Sequence, residues 1–250
     1  MSAKGFFTRL DVELVNRKLA TTRELAKKMI TSSLVILNGK VVTKPAEKVS
    51  ADSVIEIVDN DLTKYVSRGA YKLIEALDRF CVNVRGVVAV DFGASTGGFT
   101  DVLLQRGAQK VYAIENGSGQ LHSKLINDNR VVSIENTNAR YIDKGFLPLC
   151  DLAVMDVSFI SQTKLYNSVT NVLKDNGIFI SLIKPQFEAG KSALNKKGIV
   201  KDSKIIDSVV ENIIFQAKLH GLYNIGIIDS PILGGDGNRE LLGCFKFKRE

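Results

Sequence analysis

The pattern of apolar positions divides the chain into two parts. In the first sixty residues, one set of apolar side chains recurs at the spacing of a helix face: Leu10, Leu14, Val15 and Leu19. Residues 21–24 have the form of a capping box that opens a second helix. Two β-rich runs, residues 35–37 and 40–42, flank Asn38-Gly39, which is the strongest short signal for a hairpin. With a strand at residues 53–58, these elements predict a small α+β unit that suits binding rather than catalysis.

Strands and helices alternate in the second part. A polar stretch at residues 59–64 predicts a linker, which we place at residues 61–66. The helix that follows has one apolar face, formed by Ala70, Leu73, Ile74, Leu77 and Phe80. Seven strands are then predicted, at residues 87–90, 110–114, 131–134, 152–155, 178–183, 223–228 and 242–247. Helices are expected between the first six, and their absence between the last two predicts an antiparallel edge. The pattern is typical of an α/β fold with a mostly parallel sheet, giving proposed domains at residues 1–60 and 67–250.

Composition and charge favour some classes of protein and argue against others. Hydrophobic residues make up 45% and charged residues 24%, as in an ordinary globular protein. The net charge is +7, and the first sixty residues carry +3 of it, so positive charge is about twice as dense there. A basic balance favours nucleic acid as a partner, although many basic proteins are merely soluble. The few cysteines, Cys81, Cys150 and Cys244, argue against a disulfide scaffold, and no metal site is expected. Apolar runs are too short for a membrane span, so the predicted location is the cytoplasm.

A loop of small residues follows the first strand of the second part and reads VAVDFGASTGGF over residues 88–99. Ligands of open α/β sheets bind at the carboxyl ends of the strands, where glycine lets the backbone approach closely. The spacing is not G-x-G-x-x-G, which disfavours a nicotinamide dinucleotide. Asp91, at the strand end, would repel a pyrophosphate but suits an ammonium or sulfonium group. Glu115, at the end of the second strand, offers a carboxylate to ribose hydroxyls. These features favour S-adenosylmethionine, with a flavodoxin-like turn as the alternative.

Four motifs occur in one order along the chain: YVSRGAYKL at residues 65–73, GASTGGFTD at 93–101, DVSFIS at 156–161 and IKPQFE at 183–188. Together they resemble the TlyA family of ribosomal RNA 2'-O-methyltransferases, historically labelled haemolysins. The second part is similar to FtsJ-type, Rossmann-like class I methyltransferases, and the first sixty residues resemble an S4-type RNA-binding domain. The resemblance implies methyl transfer from S-adenosylmethionine to the ribose 2'-hydroxyl of a cytidine. The expected partners are ribosomal RNA or ribosomal subunits, with no membrane.

The resemblance also implies site residues. The family's Lys-Asp-Lys-Glu tetrad falls on Lys72, Asp156, Lys184 and Glu240. The predicted cofactor residues are Asp91, Gly93, Ala94, Ser95, Thr96, Gly97, Gly98, Phe99, Glu115 and Asn138, the last of them near the adenine. The basic residues expected to contact RNA are Arg9, Arg23, Lys27, Lys28, Lys40 and Arg68. The second strand ends in ENGSGQ where relatives usually have DVGYGQ, so Glu115 keeps the charge with a longer reach.

A positioned base is the main chemical requirement of this reaction. A ribose hydroxyl is a very weak acid, and a base that removes its proton is worth about 10² to 10⁴ in rate. We expect Lys184 to accept or steer that proton, with Lys72 as a neighbouring cation and Asp156 and Glu240 orienting the amines. An amine acts as a base at neutral pH only when burial or a nearby cation lowers its pKa. From the residues alone, the alternative is a structural ion pair between Lys184 and Asp156. For the whole chain, the alternatives are a membrane-damaging protein and an RNA-binding protein without catalysis.

Overall fold

The computed structural model describes residues 7–58 and 64–249 of the chain. These residues form two compact units that meet between Arg68 and Gly69. Residues 61–63 of the predicted linker lie outside the described residues. We therefore describe each unit by itself and keep the domain limits of residues 1–60 and 67–250 as a proposal.

The first unit packs two helices against short antiparallel strands. Its elements are β1 (Thr8–Arg9), α1 (Leu10–Asn16), α2 (Arg23–Thr31), β2 (Val35–Leu37), β3 (Lys40–Val42), β4 (Lys48–Val49) and β5 (Ile55–Ile57). The β2 strand pairs with both β3 and β5, and β1 pairs with β4. Asn38 and Gly39 adopt positive φ angles of 48° and 77°, as a two-residue hairpin turn requires. Fully buried Leu10, Leu14 and Ile30 lie in the core of this unit.

Two predicted helix limits in this unit are displaced. The α1 helix ends at Asn16, so Leu19 lies beyond it and is 37% exposed rather than on its buried face. The α2 helix is capped by Thr22 and not by Thr21. The Thr22 hydroxyl accepts a hydrogen bond from the backbone amide of Leu25 at 3.1 Å. Both threonines fit a capping pattern, and the local sequence does not choose between them.

The strand predicted at residues 53–58 is shorter than expected because its start forms a turn. The amide of Ser50 donates to the Ser53 hydroxyl at 3.1 Å. The guanidinium of Arg17 donates to the carbonyl oxygens of Ser53, Ser50 and Ala51 at 2.6, 3.1 and 2.9 Å. These bonds tie the turn to α1, and a strand begins only at Ile55.

The second unit is a seven-stranded sheet flanked by helices. Its helices are α3 (Ala70–Arg79), α4 (Gly98–Gln105), α5 (Ser123–Ile126), α6 (Tyr166–Val172), α7 (Pro185–Glu188) and α8 (Ser203–Leu219). Its strands are β6 (Val88–Phe92), β7 (Lys110–Ile114), β8 (Val131–Ile134), β9 (Cys150–Met155), β10 (Leu173–Ile183), β11 (Leu222–Asp229) and β12 (Leu241–Phe247). The spatial order is β11-β12-β10-β9-β6-β7-β8, and only β12 runs antiparallel to its neighbours. The predicted α/β fold with its mostly parallel sheet is confirmed.

The last strand lies inside the sheet and not at its edge. It pairs with β10 on one side and with β11 on the other, so β11 is the edge strand. Leu242, Cys244 and Phe245 of β12 are fully buried, as expected for a strand with two neighbours and helices over the sheet. The sequence pattern predicted the antiparallel direction, but it does not contain the order of the strands.

The connection between β8 and β9 has no α-helix, although one was predicted. It contains a single 3-10 turn, Ala139–Tyr141. The next residue, Ile142, is fixed by α6: its amide donates to the Ser168 hydroxyl at 3.3 Å, and its carbonyl accepts from the Asn171 amide at 2.9 Å. Side chains of a distant helix thus bind the backbone groups that a local helix would have paired.

The carboxyl ends of β6, β7, β9 and β10 lie along one edge of the sheet, because these strands are parallel. The loops that follow these four strands therefore begin at the same edge. Within residues 7–58 and 64–249, no helix has the length and apolarity to cross a bilayer. The same residues contain no cluster of three or more His, Cys, Asp or Glu side chains suited to a metal ion.

Candidate functional site

The loop between β6 and α4 is shaped by two glycines with positive φ angles. Gly93 has φ of 80°, and a Cβ there would lie 2.8 Å from the carbonyl oxygen of Asp156. Gly97 has φ of 95°, and a Cβ there would lie 2.2 Å from a methyl group of Leu125. The amide of Gly93 donates to the Ile114 carbonyl at 2.9 Å. Only glycine fits these positions, so the loop passes closely over the ends of β7 and β9.

Glu115 is fixed by backbone donors. One carboxylate oxygen accepts from the amide of Ser95 at 2.9 Å, and the other accepts from the amide of Gly117 at 2.9 Å. A carboxylate has about four acceptor positions. Two backbone bonds therefore orient Glu115 and leave it able to accept the ribose hydroxyls for which it was predicted.

A cavity of about 580 Å³ opens at this edge of the sheet. Its volume lies in the range of small-molecule and cofactor sites. Four predicted cofactor residues line it: Gly93, Ser95, Glu115 and Asn138. The other six do not line it: Asp91, Ala94, Thr96, Gly97, Gly98 and Phe99. All of these except Thr96 are buried.

Asp91 is almost fully buried, with 1% of its surface exposed. One of its oxygens accepts bonds from the amide and hydroxyl of Thr100, at 3.0 and 2.7 Å. The other oxygen is buried and accepts no hydrogen bond from the described residues. Burial raises the pKa of Asp91 to about 7, and repulsion from Asp156 and Glu115 adds to the rise.

Because the pKa of Asp91 is raised, the stability of the protein without ligand should depend on pH. The unfolded chain loses the Asp91 proton near pH 4, whereas the folded chain keeps it to about pH 7. The contribution of Asp91 to the free energy of unfolding should therefore decline between pH 4 and 7, by on the order of a few kcal/mol. Urea unfolding of Asp91→Asn should lack this decline, while the exposed control Asp207→Asn should keep it. Parallel pH curves for wild type and Asp91→Asn would contradict the prediction.

The tetrad residues Lys72 and Glu240 form a buried ion pair. Lys72 lies on α3, and Glu240 directly precedes β12. The Lys72 amine is 2.6 Å from a Glu240 carboxylate oxygen, and the two side chains are 9% and 3% exposed. Gly234 makes room for this carboxylate, since a Cβ there would lie 2.6 Å from its other oxygen.

The other two tetrad residues form a second ion pair at the cavity. The Lys184 amine is 2.6 Å from an Asp156 carboxylate oxygen and donates to the Ser158 hydroxyl at 2.8 Å. Asp156 and Ser158 line the cavity. Ile183 pairs with Leu241 in the sheet, so the residues on either side of this pair, Lys184 and Glu240, emerge from neighbouring strands at the same level. The structure thus gathers the predicted tetrad at one edge as two Lys-carboxylate pairs.

Phe159 is a feature of the site that the sequence reasoning missed. Its side chain is 90% exposed, and its backbone has a positive φ of 63°. It lines the cavity, and its ring centroid lies 5.1 Å from that of Phe187. An exposed aromatic ring on a backbone conformation that is rare for such residues indicates a functional constraint. The signal was present in the DVSFIS motif, to which only Asp156 was assigned a role.

The basic residues predicted to bind RNA are exposed in the first unit. Asp11 is buried and binds two of them, Arg9 at 2.9 Å and Arg23 at 3.0 Å. These arginines lower the pKa of Asp11 to about 2 and keep half of their own surface exposed. The remaining predicted residues are also exposed: Lys27, Lys28, Lys40 and Arg68. Arg9 and Arg23 therefore lie close together. Contacts of these six residues with RNA remain a prediction.

The comparisons with known proteins match both units. Residues 65–247 match the family described as FtsJ-like methyltransferase, and residues 8–55 match the S4 domain. YqxC of Bacillus subtilis, provisionally named an rRNA methyltransferase, is 44% identical over 94% of this chain and 84% of its own length. The 16S/23S rRNA (cytidine-2'-O)-methyltransferase TlyA of Mycobacterium tuberculosis is 40% identical over 93% of this chain and 87% of its own length.

A solved structure from Streptococcus thermophilus, provisionally described as a haemolysin, is similar in fold and sequence. It shares 40% identity and a TM-score of 0.76, over 98% of this chain and 90% of that chain. The label differs from the methyltransferase names of the two relatives described above, although the similarity spans the same two units.

Proposed function

The chain belongs to the TlyA family of FtsJ-like methyltransferases, and on that premise we propose that it methylates the ribose 2'-hydroxyl of a cytidine in ribosomal RNA. The observation that carries the proposal is the Lys184–Asp156 pair, whose carboxylate lines the cavity. An amine and a carboxylate at this position suit the removal of a proton from a hydroxyl next to a bound cofactor. The S4 match and the exposed basic residues of the first unit support RNA as the substrate.

The charge of the cavity edge fits S-adenosylmethionine, which supplies an electrophilic methyl group on a positively charged sulfur. Three carboxylates, Asp91, Glu115 and Asp156, lie close enough for the latter two to raise the pKa of the first. Such an edge favours a cationic ligand and repels a pyrophosphate. The free buried oxygen of Asp91 is an acceptor that a bound donor would satisfy. Glu115 would hold the ribose of the cofactor, and Asn138 would lie near its adenine.

Lys184 is suited to orient the attacking hydroxyl. Its ammonium group has three donors, of which the hydrogen bond to Ser158 uses one, and its ion-pair partner is Asp156. A remaining donor can bind the ribose oxygen and hold it toward the cofactor. The proton released as the new O–CH₃ bond forms would then be accepted by the Asp156 carboxylate, toward which Lys184 steers it. The Lys72–Glu240 pair, which is more deeply buried, stabilises the ends of α3 and β12 beside them.

Transfer of labelled methyl from S-adenosylmethionine to separated ribosomal subunits tests the proposal. Label that enters RNA with the wild-type protein and not with Lys184→Ala is expected, and nuclease mapping then identifies the nucleotide. No label on either subunit, with cofactor binding demonstrated by calorimetry, would contradict it. A membrane-damaging activity, the alternative that the haemolysin label raises, is supported by no observation on the described residues.

The ring of Phe159 is expected to stack on the base of the target nucleotide. Enzymes that act on RNA present unstacked bases to aromatic side chains, and each stack is worth about 1–3 kcal/mol. Phe159→Ala should therefore raise KM for ribosomal RNA and lower kcat/KM by about 10- to 100-fold. Phe159→Trp should retain most activity because it keeps a stacking surface. Phe215→Ala, which removes another exposed ring on α8, should have no effect. Equal loss in the Ala and Trp variants would count against stacking.

A further inference from the structure

Two segments that follow neighbouring strands are joined at three successive points. Residues 156–161 follow β9, and residues 184–188 follow β10. At the first point, Lys184 contacts Asp156 and Ser158. In the middle, the rings of the two phenylalanines described above meet. At the third point the contact is made by Glu188, which does not line the cavity and does not belong to the tetrad.

Glu188 closes the far end of the loop with both of its oxygens. One accepts a hydrogen bond from the Ser161 hydroxyl at 2.6 Å, and the other accepts from the backbone amide of Gln162 at 2.9 Å. Burial raises the pKa of Glu188, so its placement here has an electrostatic cost. The two short bonds offset that cost, because a buried carboxylate is tolerated when its oxygens are hydrogen-bonded.

These two hydrogen bonds lie at the start of a helical segment. Ser161 caps the 3-10 turn Gln162–Leu165, which continues directly into α6. The first amides of such a helical segment have no partner inside it. Glu188 supplies one for Gln162 from another part of the chain. The carboxylate thereby couples α6 and the loop to the segment that carries Lys184.

We propose that Glu188 is a positioning residue for methyl transfer. By fixing Ser161 and Gln162, it holds the loop so that Ser158 stays on the Lys184 amine and Phe159 stays at the mouth of the cavity. Glu188 acts through these residues and does not touch the substrate. This inference rests on the proposed function, to which it adds the role of the IKPQFE motif beyond Lys184.

Steady-state kinetics with ribosomal RNA tests the role. Displacement of a reacting group by about 1 Å can cost about 10²-fold, so Glu188→Ala should lower kcat by about 10- to 100-fold. Its affinity for S-adenosylmethionine, measured by calorimetry, should equal that of the wild type. Glu188→Gln should restore most of the rate, because its amide can accept from Gln162 and donate to Ser161. Glu211→Ala, an exposed glutamate on α8, is the control and should have no effect.

Hydrogen exchange provides a readout that does not require activity. The amides of residues 162–164, which donate hydrogen bonds to Glu188 and Ser161, should exchange faster in Glu188→Ala than in the wild type, and at the wild-type rate in Glu188→Gln. If the wild type methylates no ribosomal RNA, the proposed function fails. The exchange rates still decide whether Glu188 fixes the loop. Should Glu188→Ala not fold, Ser161→Ala removes one of the two bonds and should lower kcat several-fold. Wild-type kcat and unchanged exchange in the folded variant, or a Gln variant as slow as the Ala variant, would overturn the proposal.

Discussion

Lys184→Ala is expected to lower kcat for methyl transfer by about 10²- to 10⁴-fold, the range that a positioned acid–base group contributes. The affinity for S-adenosylmethionine should remain nearly unchanged, because Lys184 does not line the cavity that the cofactor would occupy. The fold should also persist, since its partner Asp156 is 24% exposed and water can solvate the carboxylate left behind. Single-turnover kinetics and calorimetry on the same preparation measure the two quantities.

The matched control for this substitution is Lys204→Ala, which removes an exposed lysine from the first turn of α8. It should leave kcat and cofactor affinity at their wild-type values. Lys184→Arg keeps the positive charge but replaces the compact amine with a planar group that does not deprotonate, and it should also be slow. If Lys184→Ala loses cofactor binding together with kcat, the Lys184–Asp156 pair is structural and the proton-transfer role is wrong.

Glu240→Ala is expected to lower the free energy of unfolding by about 3–5 kcal/mol, because it leaves the buried Lys72 ammonium without a partner. For a domain of this size, each kcal/mol shifts Tm by about 2–4 °C, so a large drop in Tm should accompany it. Urea unfolding of the cofactor-free protein measures the effect. The exposed pair between Arg239 and Asp229 is the control, and Asp229→Ala should change stability by less than about 1 kcal/mol.

The double variant Lys72→Met with Glu240→Leu separates stability from catalysis. Replacing both members of a buried pair with apolar residues is often neutral or stabilising, so the double variant should regain most of the lost stability. If the pair belongs to the catalytic tetrad, methyl transfer should stay impaired in the stable double variant. Full recovery of both properties would show that Lys72 and Glu240 only hold the fold together. Wild-type stability of Glu240→Ala would contradict the buried pair itself.

The strands of the second unit were predictable because their signal is local. Residues 110–114 and 131–134 form strands with the predicted limits, since each is a short apolar run between turn residues. The Asn38-Gly39 turn was predictable for the same reason, because two positive φ angles select those residue types. The interior position of β12 and the irregular connection before β9 were not predictable. They depend on β10 and α6, which are distant in sequence from the segments that they bind.

The candidate site was also predictable from the sequence only in part. Motif matching identified Lys72, Asp156, Lys184 and Glu240, and the structure places them at one edge of the sheet. Which lysine pairs with which carboxylate is a property of strand register and is not present in the sequence pattern. Burial is equally absent from it: nothing in the pattern indicates that the Asp91 carboxyl group is 1% exposed, with one oxygen that accepts no hydrogen bond from the described residues.

The interior position of β12 also affects the chain during its synthesis. The first unit precedes the second in sequence and can fold while the rest is still being made. The sheet of the second unit cannot close until residues 241–247 have emerged, and until then β10 and β11 have unpaired edges that invite association with other chains. Glu240 reaches Lys72 only at that last step. A protein proposed to modify ribosomal RNA would therefore acquire its complete tetrad only after β12 has been synthesised and has paired with β10 and β11.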